Sequence, residues 1–465
     1  MTLWRKTLLC CFGTGAALSV ASEAQASGFA TARFGGEHGH PTTDNPTAIY
    51  YNPAGIAEDT PGFEKKFWRV KIFADANVAL RWASWSHQQS PKDVPEPDDA
   101  QGANSGTAEL FNVVTAPMAG ATFQVENFGV GLGWFVPFGG QSVYDQNDSF
   151  RDNPNYAGPV DGVQRWHSIQ GVIRSMYFSL AAAYDILDRV SIGASFNMVK
   201  SDVDTLRART ADGSNNLATE GRSWIDVGGW HAAFGVGVIG EVAEEKVWIG
   251  ASYQARPGLG EMHLSGTLST NLSGSVSKQE VKLIQELPDV FRMGVRARPV
   301  EKVEIRVFGD VTTWGTFDNQ CVITADKDEC PVAEDGSADP ASGILINIAR
   351  NWGTAFGVRA GGSYWVIPEV ELYLGAGYDS NAIPDETLEI ALTDFHKANV
   401  AGGVRFSTGE LFAAALTYTH FFYAPRDTTG ESIHPDFEPP TRSPDSGGEY
   451  TQTIGVVNVN AQFSF

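Results

Sequence analysis

Several groups of residues in this chain have the types and spacing that chemistry requires. His167 and Ser168 stand side by side, a general base beside a hydroxyl nucleophile. No nucleophile elbow, metalloprotease helix or phosphate-binding loop accompanies them, so the chain reads as a non-enzyme. Gly235-Val-Gly237-Val-Ile-Gly240 matches a dinucleotide fingerprint by letters. It lies inside a strand pattern with no helix after it, so a phosphate cradle is not expected and no cofactor is assigned. Glu37, His38 and His40 are metal-ligand types in a Gly-rich turn. They read as solvated polar residues, and the metal assignment is none. The acidic run Asp326-Lys327-Asp328-Glu329 lacks the spacing of a calcium loop. Cys321 and Cys330, in an exported chain, read as one small disulfide loop; no second Cys or His pair has the spacing of a zinc site. Arg306, Arg359 and Arg405 fall on the mixed faces of three strands, close to short turns. Arg suits a substrate carboxylate. The favoured reading is a structural collar, paired with Glu304, Asp310 or the acidic segment 27–62.

The elements that position these residues begin with an export signal. Arg5 and Lys6 precede an apolar stretch over 8–20, and Ala24-Gln25-Ala26 is a small-x-small cleavage site, so the mature chain is expected to start at Ser27. Cys10 and Cys11 leave with it. The chain carries 55 acidic against 33 basic residues, a net charge of −22, which excludes nucleic acid as a default partner. After the signal no apolar run is long enough for a transmembrane helix. Glycine is abundant at 50 residues, aromatics reach 11% and charged residues only 19%. A transmembrane β-barrel hides its hydrophobicity in alternation and gives this mild average.

Alternating segments fall at about 65–87, 108–124, 127–139, 167–185, 189–206, 223–242, 246–270, 275–299, 302–316, 343–365, 369–381, 388–406, 410–424 and 448–465. Short links at 125–128, 186–188, 243–245, 300–301, 366–368 and 407–409 alternate with longer ones at 88–107, 140–166, 207–222, 271–274, 317–342, 382–387 and 425–447. Outer-membrane barrels show this asymmetry of short periplasmic turns and longer extracellular loops, with an even strand number. Val303, Ile305, Val307 and Val311 share one face, and Glu304, Arg306, Phe308 and Asp310 the other. The predicted fold is therefore all-β, a 14-stranded antiparallel transmembrane barrel. Its domains are a signal at 1–26, a lumenal hatch at 27–62 and the barrel at 63–465. The hatch is expected from the turn-rich stretch 34–57, whose apolar knot Ala48-Ile49-Tyr50-Tyr51 runs into Asn52-Pro53-Ala54-Gly55. Gly129, Gly131 and Gly133, followed by Pro137 and Gly139, should weaken or kink the third strand. The chain ends on Phe465, the aromatic end that barrel assembly machinery reads.

At this point the sequence resembles the outer-membrane long-chain fatty-acid and hydrocarbon transporters, the FadL-like channels. The resemblance rests on Ala48-Ile49-Tyr50-Tyr51-Asn52-Pro53-Ala54-Gly55-Ile56-Ala57, on Phe135-Val136-Pro137-Phe138-Gly139, on Leu287-Pro288-Asp289 with Trp314-Gly315-Thr316-Phe317-Asp318, and on Gly375-Ala376-Gly377-Tyr378-Asp379 with Ile383-Pro384-Asp385. It implies a monomer in the outer membrane of a Gram-negative bacterium, in contact with lipid and lipopolysaccharide. It also implies passive uptake of hydrophobic small molecules, gating by a hatch centred on Asn52, Pro53 and Ala54, and lateral exit at the third strand. The Pro- and acid-rich 425–447 link and the cysteine loop depart from the family pattern. A diffusion porin and a barrel-based adhesin or receptor remain as alternatives.

Overall fold

A backbone that crosses hydrocarbon must satisfy every N–H and C=O within the chain, and a ring of strands does this with no free edge. In the computed structural model, residues 33–59, 67–187 and 189–465 are described. The expected signal segment at 1–26 and the expected hatch–barrel boundary at 62/63 lie outside them. Fourteen antiparallel strands form the ring: β1 Trp68–His87, β2 Gly106–Val125, β3 Phe128–Val143, β4 Gln170–Asp185, β5 Val190–Arg209, β6 Gly221–Ala243, β7 Val247–Gln254, β8 Val290–Val300, β9 Val303–Thr312, β10 Ala355–Ile367, β11 Val370–Asp379, β12 Lys397–Thr408, β13 Phe412–Tyr423 and β14 Glu449–Ser464. Strand β14 closes the ring: Phe463 stands opposite Phe412 on one side and Ile72 on the other.

The alternation is that of a membrane wall. Along β1, Arg69, Lys71, Asp75, Asn77 and Arg81 are buried inside, while Trp68, Ile72 and Trp82 face out. On β9 the faces divide as the sequence predicts, with Ile305, Val307 and Val311 exposed and Glu304, Arg306 and Phe308 buried. Charges inside and large apolar groups outside is the inverse of a water-soluble protein; lipid is the solvent that accepts it.

Three expected wall strands are each broken in two. The 246–270 segment leaves the wall after Gln254 and resumes as a strand, Met262–Thr270, laid on the upper part of β6 with Gly228 opposite Ser265. The 275–299 segment splits into Ser277–Gln285 and β8, and 343–365 into Ile344–Ala349 and β10. The long link 317–342 contains a further strand, Asn319–Thr324. These four short strands pair into a cap sheet beyond the long-link end of the barrel. Alternation records only that one face is buried, so it does not separate wall from cap. Pro257 and Pro288, which offer no N–H to a ladder, mark two of the breaks.

Residues 33–59 sit inside the ring at the short-turn end. They contain one helical turn, α1 Ala48–Tyr51, and a 3-10 turn, Pro53–Ile56. Phe34, Ala48, Ile49, Tyr51 and Ile56 are buried in one core with wall residues.

Leu374 faces outward on β11 at 71% exposure. Leu374→Arg should lower the unfolding free energy in phosphatidylcholine bilayers by about 2–4 kcal/mol. Leu259→Arg, in the cap, should change it by less than about 0.5 kcal/mol in the same urea titration.

Candidate functional site

The lumenal segment is held by its backbone as much as by its side chains. Asn52 is fully buried. Its Nδ2 donates to Pro41 O (2.8 Å) and to wall carbonyls Val238 O (3.0 Å) and Ala251 O (3.3 Å); its Oδ1 accepts from Ala54 N–H (3.2 Å). Pro53 starts the 3-10 turn with a fixed φ and no N–H to satisfy. Such contact needs a wall without side chains. A Cβ on Gly237 would fall onto Asn52 Oδ1, and one on Gly193 onto the Pro53–Ala54 backbone. Gly129, Gly131 and Gly133 serve the same seat: a Cβ there would lie within 2.8–3.0 Å of Ile56 or Ile49.

The third strand therefore departs from expectation in where it bends. Its three alternating glycines keep a regular ladder with β2, Gln124 opposite Gly129 through Gly120 opposite Gly133. The break falls at Val136-Pro137, where the β3–β4 register slips between Phe135 and Phe138. Beyond Met118 opposite Phe135 the β2–β3 ladder stops. The upper parts of the two strands face each other across a seam. There the Asn112 side chain donates to Gln141 O (2.8 Å), and Asp145 N–H to Glu109 O (3.2 Å).

Along this seam the lumen is packed with aromatic rings. Trp352 meets Trp314 (5.0 Å between centroids), Trp314 meets Phe138 (5.9 Å) and Phe138 meets Tyr177 (6.3 Å). Tyr177 stacks on Phe135 (5.5 Å), which touches Tyr50 of the lumenal segment (5.2 Å). The column connects the cap to the seat through contacts close enough to be worth roughly 0.5–1.5 kcal/mol per pair beyond burial.

Above the column lies a cavity of about 50 Å³, bounded by Gly140, Gln141 and Ser142 of the seam, by Ile173, Val203 and Ile225 of the wall, and by Leu283, Val322 and Ile348 of the cap sheet. Into this apolar lining project His167, Arg207, Arg350 and Glu389. Arg350 is paired to Glu389 (2.6 Å). Arg207 is 94% buried, with exposure of 6%. Among the described residues it makes no ion pair, and its Nη2 has no hydrogen-bond partner. Glu389 is held well below the carboxylate range: burial opposes ionisation, but Arg350 and then His167 outweigh it. His434, buried nearby, is pushed down to about 4 by burial first and is neutral at physiological pH.

At the opposite end a vestibule of about 1070 Å³ is lined by Arg69, Lys71, Arg296, Arg306 and Arg405 among other charged groups. The contacts to the lumenal segment come from residues that the sequence did not single out. Arg296 pairs with Asp44 (3.1 Å), Lys71 donates to Asp44 O (2.6 Å) and Arg69 pairs with Asp59 (3.3 Å). Arg306 instead pairs with Glu304 (3.2 Å), and Arg405 approaches Glu371 (3.8 Å), which His38 also meets (2.9 Å). Arg359 stands opposite Phe308 in the middle of the wall and not at the mouth, bound to Asp310 (3.0 Å) and Asp379 (2.5 Å). Glu37 and His40 are buried and not solvated as expected; Glu37 pairs with Arg33 (3.1 Å), and His40 Nδ1 lies 3.0 Å from Thr42 Oγ1. Cys321 and Cys330 are joined on the cap sheet, away from the cavity lining. His167 Nδ1 faces Glu389 (3.5 Å), while Ser168 Oγ bonds Ser142 Oγ (3.0 Å), so the two adjacent residues engage different partners. Arg207 lies one residue beyond the expected strand 189–206, on a strand that runs to Arg209. Extending the inward parity of Val203 and Thr205 by one step would have found it.

Comparison with known proteins adds three kinds of match. The model of a family described as outer membrane protein transport protein (OMPP1/FadL/TodX) matches residues 8–424. A Neisseria meningitidis serogroup B chain named as an outer membrane protein is 21% identical over 395 residues, 80% of each chain. Among solved structures, a Pseudomonas aeruginosa FadL homologue superposes with a TM-score of 0.68 at 13% identity, covering 96% of this chain and 99% of that one. The Ralstonia pickettii toluene transporter TbuX gives 0.60 at 14% identity, covering 96% and 97%.

Gly237→Ala should push Asn52 off the wall and unseat the lumenal segment, seen as single-channel conductance above that of the wild type with unchanged heat modifiability. Glu58, which accepts from Ser191 Oγ (2.6 Å), is pushed up to about 7 by burial; Asp185 and Asp44 add to the rise, and Ser191 and Arg296 oppose it. A carboxyl whose seated pKa exceeds its free value of 4.5 favours seating most at low pH. That contribution is lost as pH rises through about 7. Conductance should therefore increase between about pH 5 and about pH 8, and Glu58→Gln should remove the dependence.

Proposed function

The chain belongs to the outer membrane protein transport family of OMPP1, FadL and TodX, and from that premise we propose that it passes carboxylate-bearing hydrophobic compounds, the long-chain fatty-acid class, into the outer membrane. The observation that carries the substrate class is Arg207. A buried guanidinium with no contact ion pair, offset only by the charge of Glu389 in the same cavity, is costly, and a ligand carboxylate adds the missing charge and hydrogen bonds. The aliphatic lining suits the tail, at roughly 0.8 kcal/mol for each CH₂ withdrawn from water. A cavity of about 50 Å³ is too small for such a tail, so the molecule described is the closed form and must widen to load.

Release sideways through the β2–β3 seam keeps the ligand out of water throughout. Gln141 belongs both to the cavity lining and to the seam, which supports an exit close to the cavity. Asn112 is the bolt: its amide stands where a ladder would otherwise close the wall. The seated segment, with Asn52, Pro53 and Ala54 at its core, blocks the axial path and favours this reading over a porin. The concentration gradient drives the flow, with no nucleotide or ion coupling. Phe465, whose N–H donates to Val70 O (2.9 Å) beside the closing strand, is assigned to recognition by the assembly machinery. A second reading, a monoaromatic hydrocarbon as cargo, draws on the aromatic column and on the toluene transporter among the structural neighbours.

Uptake of labelled oleate and of labelled toluene by cells separates the two. Arg207→Met should weaken oleate binding by about tenfold to a hundredfold and leave toluene unaffected. Loss of toluene uptake with oleate unchanged refutes the fatty-acid assignment. Asn112→Cys with Gln141→Cys should abolish uptake when oxidised and restore it on reduction, with wild type given the same reductant as control. Undiminished uptake in the cross-linked protein sinks the seam as the exit.

A further inference from the structure

The cavity holds two guanidinium groups and one carboxylate. That carboxylate is oddly placed for a purely structural role. Glu389 is 1% exposed and lies on the long link between β11 and β12. Its Oε1 accepts from Arg350 Nη1 (2.6 Å). Its Oε2 has no hydrogen-bond partner and stands 3.5 Å from His167 Nδ1. That oxygen is the less firmly held of the two, in a cavity where Arg207 Nη2 also lacks a hydrogen-bond partner. Arg350 is tethered independently, with Nε and Nη2 both donating to Gln320 Oε1 (3.0 and 2.6 Å).

The segment that carries Glu389 does not depend on the ion pair for its position. Leu388 O accepts from Ser446 Oγ (2.7 Å) and Tyr450 Oη (3.3 Å), and Ile390 O accepts from Tyr144 Oη (2.8 Å). The backbone on either side is therefore pinned by other loops, while the carboxylate reaches into the ligand space.

We infer that Glu389 is a resident counter-ion, occupying in the empty cavity the ground that a ligand carboxylate takes on loading. This rests on the reading that the cargo carries a carboxylate. An incoming carboxylate finds Arg207 free and Arg350 already satisfied. Binding to both requires Glu389 to swing off Arg350. Two consequences follow from the charge count. The empty cavity avoids two uncompensated buried cations, which holds the cap closed over an apolar space. The cargo must compete with an intramolecular rival at high effective concentration, so affinity is held down and release through the seam is eased. A neutral ligand makes no such exchange, so Glu389 leaves its affinity unchanged.

The test uses full-length protein in detergent, with oleate and methyl oleate as probes. Glu389→Gln removes the rival charge while keeping the shape. It should bind oleate at least about tenfold more tightly than wild type, a gain of about 1.4 kcal/mol, with methyl oleate unchanged. Glu389→Asp keeps the charge and shortens its reach, and should give an intermediate gain. A folded, heat-modifiable Glu389→Gln or Glu389→Asp that binds oleate no better than wild type overturns the inference. Equal tightening for both probes also overturns it, since that outcome reports a looser cavity and not a vacated charge site. Failure of the underlying reading looks different: wild type and Glu389→Gln would both bind methyl oleate as well as oleate.

Discussion

In hydrocarbon a backbone amide has no water to turn to, and this one deficit dictates the wall. Each N–H and C=O must be paired by a neighbouring strand, so the sheet closes on itself through β14 and leaves no edge. The seam between β2 and β3 is where the rule is bent. Val136-Pro137 takes β3 out of register, Pro137 contributes no donor, and a side-chain amide from Asn112 stands in for the lost ladder. One side-chain bond, Asn112 to Gln141 O, and one backbone bond, Asp145 N–H to Glu109 O, span the strands there.

Closure also creates the problem that the lumenal segment solves. A ring of fourteen strands encloses more space than its own inward side chains fill. Residues 33–59 occupy the short-turn end, and they reach the wall because glycine replaces side chains along the contact. Their acidic groups are met by Arg69, Lys71 and Arg296, while Arg306, Arg359 and Arg405 balance acids of the wall itself. The two sets differ in what they permit. Pairs within the wall persist whether or not the segment is seated. Pairs between wall and segment hold the segment in its seat.

The cap completes the division of labour. Its strands extend one side of the barrel above the membrane and supply aliphatic cover for the cavity through Leu283, Val322 and Ile348. The aromatic column then joins cavity, seam and seat in one packed file from Trp352 to Tyr50. Packed interiors shift between discrete arrangements more readily than they deform smoothly.

What the sequence by itself determined was everything governed by local period and solvent. Alternation with a period of two and short turns against long links were enough for an outer-membrane barrel and its strand number. The turn chemistry of Asn52-Pro53-Ala54 marked the lumenal segment. What only the tertiary structure decided was contact between distant parts. The glycines of β3 read as a weakness in a strand; opposite Ile49 and Ile56 they are the seat of a segment more than seventy residues earlier. Arg359 read as a neighbour of a turn and proved to be held by Asp310 and Asp379. Arg207, Arg350, Glu389 and His167 come from four separate stretches and meet only because the cap folds over the ring. Period reports which face is buried, never which partner buries it, and a cavity is made of partners.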